Sequence, residues 1–166
     1  MHREAMDWLR TFRSVAAAEP RVVEFGSRDV NGTARVLFAD SWDYVGIDTS
    51  AGRCVDIVAD ARTWIPADGK LFDVCLCTEM LEHSPDPKLV VASAARVLHP
   101  GGVLLLTCAG PRREPHGSDG GPLLEGEHYQ NIHPGELAGW MREHFKGVWV
   151  EDRDGLDVYA VGVKGR

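Results

Sequence analysis

The chain has 166 residues, of which 44% are hydrophobic and 26% charged, a composition typical of one globular domain with its own core. Its formal net charge of -7 makes nucleic acid an unlikely partner, because a polyanion is repelled. No apolar run approaches the roughly 20 residues of a membrane span, and the charged start "MHREAMDWLRTF" lacks the apolar stretch of a secretory signal. We therefore expect a cytoplasmic protein with no membrane partner. The four cysteines lack paired C-x-x-C spacing, which favours buried thiols over a zinc site.

The hydrophobic pattern predicts helices and strands in alternation. Helices are predicted over residues 4–17, 32–39, 86–98 and 134–145. Strands are predicted over residues 21–25, 43–47, 54–58, 71–77, 103–109, 147–152 and 156–164. A tight "RDG" turn joins the last two strands into an antiparallel hairpin. The pattern predicts an α/β fold, with a seven-stranded, mostly parallel sheet, helices on both faces and a C-terminal antiparallel hairpin.

Residues 110–133 interrupt the pattern, because they have no clear period and are rich in glycine and proline. A stretch this long inside a domain is usually functional, so we predict a substrate lid or insertion loop. With no repeat and no linker in the sequence, residues 1–166 are predicted to form a single domain, in which residues 1–19 are an N-terminal helical segment.

Acidic and small polar residues follow the predicted strands. In parallel α/β sheets, ligands bind beyond the carboxyl ends of the strands, at the switch point beside the first strand. This rule places Glu24 to Gly26, Asp48, Asp60 and Thr78 around one crevice.

The loop "EFGSRDVNG" has Arg28 and Val30 where a G-x-G-x-x-G dinucleotide motif has small residues. A nicotinamide dinucleotide is the competing occupant, since Asp48 could bind its ribose equally well. The missing glycines disfavour that occupant, because they leave its pyrophosphate poorly accommodated.

Several motifs together resemble the class I S-adenosylmethionine-dependent methyltransferases, over nearly the whole chain. They are the acid and glycine of Glu24 and Gly26, the acid Asp48 in "YVGIDTS", the pair Asp60 and Ala61 in "DIVADA", and the stretches "FDVCLCTEMLEHSPDP" and "RVLHPGGVLLLT". The last two stretches match the small-molecule members of the family. The resemblance implies a Rossmann-like fold and S-adenosyl-L-methionine as cofactor.

The resemblance also implies roles for individual residues. Glu24, Gly26 and Ser27 form the loop near the methionine amine, and Thr78 lies near the methionine end. Asp48 accepts hydrogen bonds from the ribose hydroxyls, with Thr49 beside the ring. Asp60 and the backbone N–H of Ala61 bind the adenine. Arg28 has two possible roles, as a partner of the cofactor carboxylate or as an exposed loop residue.

The segment "TEMLEH" suggests a metal site. If Glu79 opens a helix, Glu79, Glu82 and His83 share one face, and two carboxylates with an imidazole suit a divalent metal. The segment resembles the E-x-x-E-H stretch of the ubiquinone-pathway O-methyltransferases and of the small-RNA 2'-O-methyltransferases, which implies Mg or Mn at the acceptor oxygen. Many small-molecule methyltransferases carry a similar stretch with no metal, so a packing role for these residues stays open.

The long loop supplies the candidates for acceptor chemistry. His128 is the predicted catalytic base or acceptor-orienting group, while His116 and His133 are taken as solvated loop residues. Arg112 and Arg113 either contact an acidic substrate or form a charged lid surface.

We therefore predict methyl transfer by in-line displacement to a small-molecule acceptor, at a hydroxyl oxygen. The alternative is a non-catalytic S-adenosylmethionine-binding module or partner subunit. The identity of the acceptor and the oligomeric state are left open by the sequence.

Overall fold

The computed structural model describes residues 3–13, 19–38 and 43–166. The helices are α1 (Arg3–Arg13), α2 (Pro87–Val97) and α3 (Pro134–Arg142). The strands are β1 (Val22–Phe25), β2 (Tyr44–Asp48), β3 (Ile57–Val58), β4 (Phe72–Thr78), β5 (Leu98–Ala109), β6 (Phe145–Arg153) and β7 (Asp157–Lys164). Among these described segments, none of the helices combines the length and apolar character needed to cross a bilayer.

The seven strands form one sheet in the order β3-β2-β1-β4-β5-β7-β6. The pairs β2–β3, β1–β2, β1–β4 and β4–β5 are parallel, whereas β7 runs antiparallel to both β5 and β6. The predicted mostly parallel sheet with its C-terminal hairpin is confirmed. The strand order changes direction beside β1 and β4, so a crevice opens between their carboxyl ends.

Alternate side chains of β4 pack into two hydrophobic clusters, one on each face of the sheet. Cys75 and Cys77 belong to a core cluster that includes the buried residues of α2 and α3. Val74 and Leu76 belong to a second cluster, which includes buried residues of α1. A strand buried on both faces is apolar along most of its length, which is the pattern of "FDVCLC" apart from the half-buried Asp73 at its start.

Three predicted elements differ in extent. A one-turn 3₁₀ helix over Ala34–Leu37 takes the place of the helix predicted over 32–39. β3 has only two residues, and just before it Asp56 pairs with Gly46 twice: its N–H donates to the Gly46 carbonyl at 2.8 Å and its side chain accepts the Gly46 N–H at 2.7 Å. β5 begins at Leu98 instead of residue 103. Of the helix predicted over 4–17, residues 14–17 lie outside the described part of the chain.

Candidate functional site

A cavity of about 550 Å³ opens at the carboxyl ends of β1, β2 and β4. Its size lies within the usual range for a small-molecule site. All eight residues predicted to contact a cofactor line it: Glu24, Gly26, Ser27, Asp48, Thr49, Asp60, Ala61 and Thr78. The sheet topology therefore brings together the residues that the sequence had placed around one crevice.

The turn after β1 requires glycine at position 26. Gly26 has a φ of +75°, and a Cβ there would lie 2.7 Å from the Cβ of Met80. Two successive N–H groups, of Gly26 and Ser27, donate to the Ile47 carbonyl at 2.9 and 3.0 Å. The turn is thus fixed against β2, with its backbone open to the cavity.

Glu24 is a buried acid at the base of the cavity, with only 2% of its surface exposed. The Tyr44 hydroxyl donates to Glu24 Oε2 at 2.7 Å. Burial raises the pKa of Glu24 to about 7, because the charged form loses its hydration, and the hydrogen bond from Tyr44 offsets part of this effect.

Asp48 and Asp60 are both at the cavity but have different partners. Asp48 accepts the N–H of Ser50 at 2.9 Å and that of Arg28 at 3.3 Å, so it also holds the turn. Asp60 pairs with the Arg62 guanidinium at 2.6 Å, and this hydrogen bond lowers the pKa of Asp60. Each carboxylate has about four lone-pair directions. Asp48 can therefore accept further hydrogen bonds from a ligand, whereas the backbone N–H and the guanidinium of Arg62 already contact both oxygens of Asp60.

The Ser27 hydroxyl is further evidence that the cavity binds a polar ligand. The residue is 2% exposed, and its Oγ has no hydrogen-bond partner within residues 3–13, 19–38 and 43–166. Buried hydroxyls are normally paired, so an orphaned one at a cavity wall suits a polar group that arrives with the ligand.

Arg28 is not the fully exposed loop residue of the second reading, and its role as a partner of the cofactor carboxylate stays a prediction. Its side chain is half-buried at the cavity, and its Nη2 donates to the Ser118 carbonyl at 3.4 Å. Arg28 therefore joins the turn after β1 to the long loop after β5.

Glu79 does not open a helix, which corrects the predicted arrangement of the E-x-x-E-H stretch. Its φ of +53° is left-handed, and only a 3₁₀ turn over Leu81–His83 follows. The Thr107 hydroxyl donates to Glu79 Oε1 at 2.7 Å, and Arg113 Nη2 lies 3.9 Å from Glu79 Oε2. Glu79 lines the cavity but belongs to this polar network, in which Arg113 also pairs with Asp157.

Within the described part of the chain, Glu82, His83 and His116 form a group that could hold a metal ion, since their donor atoms all lie within 4.8 Å of one another. Glu82 is fully buried, and within the described residues its carboxylate oxygens have no side-chain partner and only weak contacts from the backbone N–H groups of Glu82 and Ala109. Nδ1 of His83 has no hydrogen bond to the described residues. Burial, reinforced by the nearby Glu79, raises the pKa of Glu82 to about 8, and burial lowers the pKa of His83.

The His128 side chain does not line the cavity, so its catalytic role stays a prediction. Its side chain is exposed, and its Nε2 lies 2.9 Å from Nε2 of Gln130. His133 caps α3, where its ring accepts the Gly135 N–H at 3.4 Å. His116, predicted to be a solvated loop residue, instead lines the cavity. The sequence carries no periodic signal that separates these three histidines.

The two arginines of the loop, Arg112 and Arg113, lie in different environments. Arg112 is exposed and donates to the Asp154 carbonyl at 3.1 Å. Arg113 lines the cavity with its guanidinium held by carboxylates, so it anchors the loop to the end of the sheet.

Comparisons with known proteins agree with this architecture. A family model described as a methyltransferase domain matches residues 1–145. A ubiquinone biosynthesis O-methyltransferase of Xanthomonas euvesicatoria pv. vesicatoria is 36% identical over 96 residues, covering 51% of this chain and 38% of that protein. One from Thiobacillus denitrificans is 47% identical over 53 residues, covering 31% of this chain and 23% of that protein. The matched part is thus less than two fifths of the length of these relatives.

Solved structures share the fold at low identity. The N-terminal domain of EvdMO1 with SAH bound has a TM-score of 0.70 at 18% identity, covering 100% of this chain and 83% of that one. The 1,6-didemethyltoxoflavin-N1-methyltransferase of Burkholderia thailandensis, with bound 1,6-didemethyltoxoflavin and S-adenosylhomocysteine, has a TM-score of 0.67 at 15% identity, covering 99% and 78%.

The family model spans most of the chain, and the sheet has the order and direction that the sequence predicted. The chain therefore belongs to the methyltransferase domain family, and its resemblance to the class I S-adenosylmethionine-dependent methyltransferases is confirmed.

Proposed function

We propose that the chain catalyses S-adenosylmethionine-dependent methyl transfer to a hydroxyl oxygen of a small-molecule acceptor. The observation that carries the proposal is the convergence of three acids, Glu24, Asp48 and Asp60, from neighbouring strands and their ends on one cavity. Relatives named O-methyltransferases support a hydroxyl acceptor, and fold neighbours solved with SAH support the cofactor.

The residues of the cavity suit this cofactor. Asp48 has lone pairs left for the ribose hydroxyls, with Thr49 beside the ring. The Ala61 N–H takes the adenine edge, where Asp60 would join it by exchanging one of its contacts with Arg62. The orphaned Ser27 Oγ and the buried Thr78 are the polar groups assigned to the methionine end. S-adenosylmethionine supplies a methyl carbon already activated by the sulfonium.

The task left to the protein is positioning. Aligning the nucleophile with the methyl group can lower the activation barrier by several kcal/mol. The loop over residues 113–118 forms one wall of the cavity, so it would hold the acceptor against the cofactor and limit access of bulk water. The imidazoles at this wall are His83 and His116, so we assign the acceptor end to them in place of His128.

We further propose that Glu82 and His83 hold a divalent ion, magnesium or manganese. The buried Glu82 oxygens, which no described side chain engages, and the Nδ1 of His83, which has no hydrogen bond to the described residues, support a cation ligand set. When bound, such an ion lowers the pKa of a coordinated acceptor hydroxyl. Glu79 is omitted from the set because Thr107 and Arg113 engage it.

Calorimetric titration with S-adenosylhomocysteine tests the cofactor part. We expect the wild-type chain to bind and Asp48→Asn to bind roughly 10- to 100-fold more weakly, since a hydrogen bond to a charged group contributes about 1.5–3 kcal/mol. Asp7→Asn, at an exposed site on α1, is the control for the change in net charge. A wild-type chain that binds no S-adenosylhomocysteine would overturn the proposed function.

Chelation tests the metal part. Once a hydroxyl acceptor is found by screening with methyl-labelled cofactor, excess EDTA should abolish transfer, and added manganese should restore it. Undiminished turnover in EDTA would exclude the metal and leave the methyltransferase proposal standing.

A further inference from the structure

His116 comes from the 110–133 loop, whereas Glu82 and His83 belong to the 3₁₀ turn after β4. His116 is thus far from Glu82 and His83 in sequence, yet the donor atoms of all three residues lie within 4.8 Å of one another. The His83 and His116 rings meet edge to face at a centroid distance of 5.2 Å. The loop therefore brings a third potential ligand to a pair of ligands on the sheet side.

The hydrogen bonds of His116 leave one ring nitrogen available. Its Nδ1 lies 3.1 Å from the Glu114 carbonyl, which can only accept, so Nδ1 carries the proton. Nε2 then presents its lone pair, and the Nδ1–H bond to the carbonyl fixes the ring. Metal-bound histidines show the same arrangement, with the second nitrogen donating to a backbone carbonyl or carboxylate.

The residues that follow His116 reach the cofactor side of the cavity. Gly117, Gly120 and Gly121 form a closed turn, with Gly117 N–H donating to Gly121 O at 2.8 Å and Gly120 N–H to Gly117 O at 2.9 Å. From this turn the Ser118 carbonyl accepts from Arg28 Nη2 at 3.4 Å. Gly120 also packs on Asn31, since a Cβ at Gly120 would lie 2.6 Å from Asn31 Nδ2. We call residues 116–120 the strap.

We propose that His116 is the third protein ligand of the divalent ion, so that the strap couples metal binding to cofactor binding. The inference rests on the proposed function. An ion held by Glu82, His83 and His116 fixes the first residue of the strap, and the strap in turn holds Arg28 and the turn after β1 at the edge of the cofactor pocket. Each ligand then binds more tightly when the other is present, because both favour the same arrangement of the strap.

The ligand set also predicts which ion binds. Two imidazoles and one carboxylate suit a divalent transition ion, whereas magnesium prefers a shell of oxygen atoms. Manganese should therefore bind the wild-type chain more tightly than magnesium.

The first measurement is the affinity for Mn²⁺ alone, from the EPR signal of the free ion. We expect His116→Ala to weaken binding by more than about tenfold, the lower end of what loss of an outer-shell partner already costs. His128→Ala tests the other predicted loop histidine, and His144→Ala, at an exposed site after α3, is the matched control. Both should bind Mn²⁺ like the wild type. Circular dichroism and S-adenosylhomocysteine binding verify that each variant is folded.

The second measurement is the affinity for S-adenosylhomocysteine with and without saturating Mn²⁺. A coupling of about 1–3 kcal/mol corresponds to roughly 5- to 150-fold tighter binding with the ion. His116→Ala should abolish the coupling. Arg28→Met, which removes the hydrogen bond to Ser118, should reduce the coupling while keeping the Mn²⁺ affinity.

The outcomes separate the two proposals. If the wild type and His116→Ala bind Mn²⁺ equally, or if Mn²⁺ leaves the S-adenosylhomocysteine affinity of the wild type unchanged, the role of the strap is overturned, while Glu82 and His83 remain candidate ligands. If the wild type binds no Mn²⁺, the metal proposal fails together with this inference. Cofactor binding remains a separate test of the methyltransferase proposal.

Discussion

The buried carboxyl group of Glu24 makes the stability of the ligand-free protein depend on pH. Its pKa is raised from 4.5 to about 7 by burial, so the native chain binds more protons than the unfolded chain between these two values. Stability therefore falls as pH rises through this window and stops falling above about pH 7. Each pH unit inside the window removes about 1.4 kcal/mol. The full window, about 2.5 units wide, thus costs about 3 kcal/mol.

Glu24→Gln removes the titration and retains an oxygen that can accept from Tyr44. We expect the wild type to lose stability between pH 5 and pH 8 while Glu24→Gln does not. The free energy of unfolding of the variant minus that of the wild type should therefore be about 2–3 kcal/mol larger at pH 8 than at pH 5. Urea unfolding followed by the fluorescence of the five tryptophans measures it at constant ionic strength. Glu125→Gln, at an exposed site in the long loop, controls for the change in net charge. Parallel pH profiles for the wild type and Glu24→Gln would show that the Glu24 carboxyl is solvated or paired, and the argument from burial would be wrong.

Two further predictions concern stability. Gly26→Ala should lower the free energy of unfolding, measured in urea, by about 2–5 kcal/mol. Alanine is strained at this positive φ, and its Cβ would also clash with the Met80 Cβ. The matched control is Gly69→Ala, because Gly69 has a φ of +68° but no atom within 4 Å of the position of an added Cβ. Its free energy of unfolding should fall by only about 1–2 kcal/mol. Equal losses in the two variants would rule out a cost from the contact with Met80. The pKa of His99 is raised by its hydrogen bond to Asp73, a stabilisation present below pH 6.5 and lost as pH rises through the raised value. His99→Gln should therefore be less stable than wild type at pH 6 and nearly equal to it at pH 9, and a difference that does not change with pH would contradict this.

The positions of the acids could be predicted because sheet topology alone determines them. Once the apolar runs are recognised as parallel strands, their carboxyl ends must meet at one edge, whatever the side chains around them do. Glu24, Asp48 and Asp60 follow that rule and line one cavity. Their hydrogen-bond partners could not be predicted, because the pairing of Asp60 with Arg62 depends on a rotamer and leaves no periodic signal.

The acceptor side was harder to predict because long-range backbone bonds determine the path of the 110–133 loop. Gln130 N–H donates to the Glu82 carbonyl, and Ile132 N–H donates to the Ala109 carbonyl, both at 2.9 Å. These bonds fix the end of the loop that contains His128 against the sheet and leave the His128 side chain at the surface. Glycine and proline composition indicates that a loop exists but not which of its side chains turns inward.

The left-handed backbone at Glu79 explains why the prediction of a helix beginning at this residue was wrong. A helix beginning at Glu79 would place the three predicted ligands on one face of one element. The chain instead turns at Glu79, so the Glu79 carboxylate meets Thr107 and Arg113 while Glu82 and His83 are carried past it toward the loop. The same turn aligns Met80 against Gly26, which ties the acceptor side of the cavity to the cofactor turn. A residue that strains the backbone at the end of a central strand thus separates two polar clusters that the sequence presents as one motif.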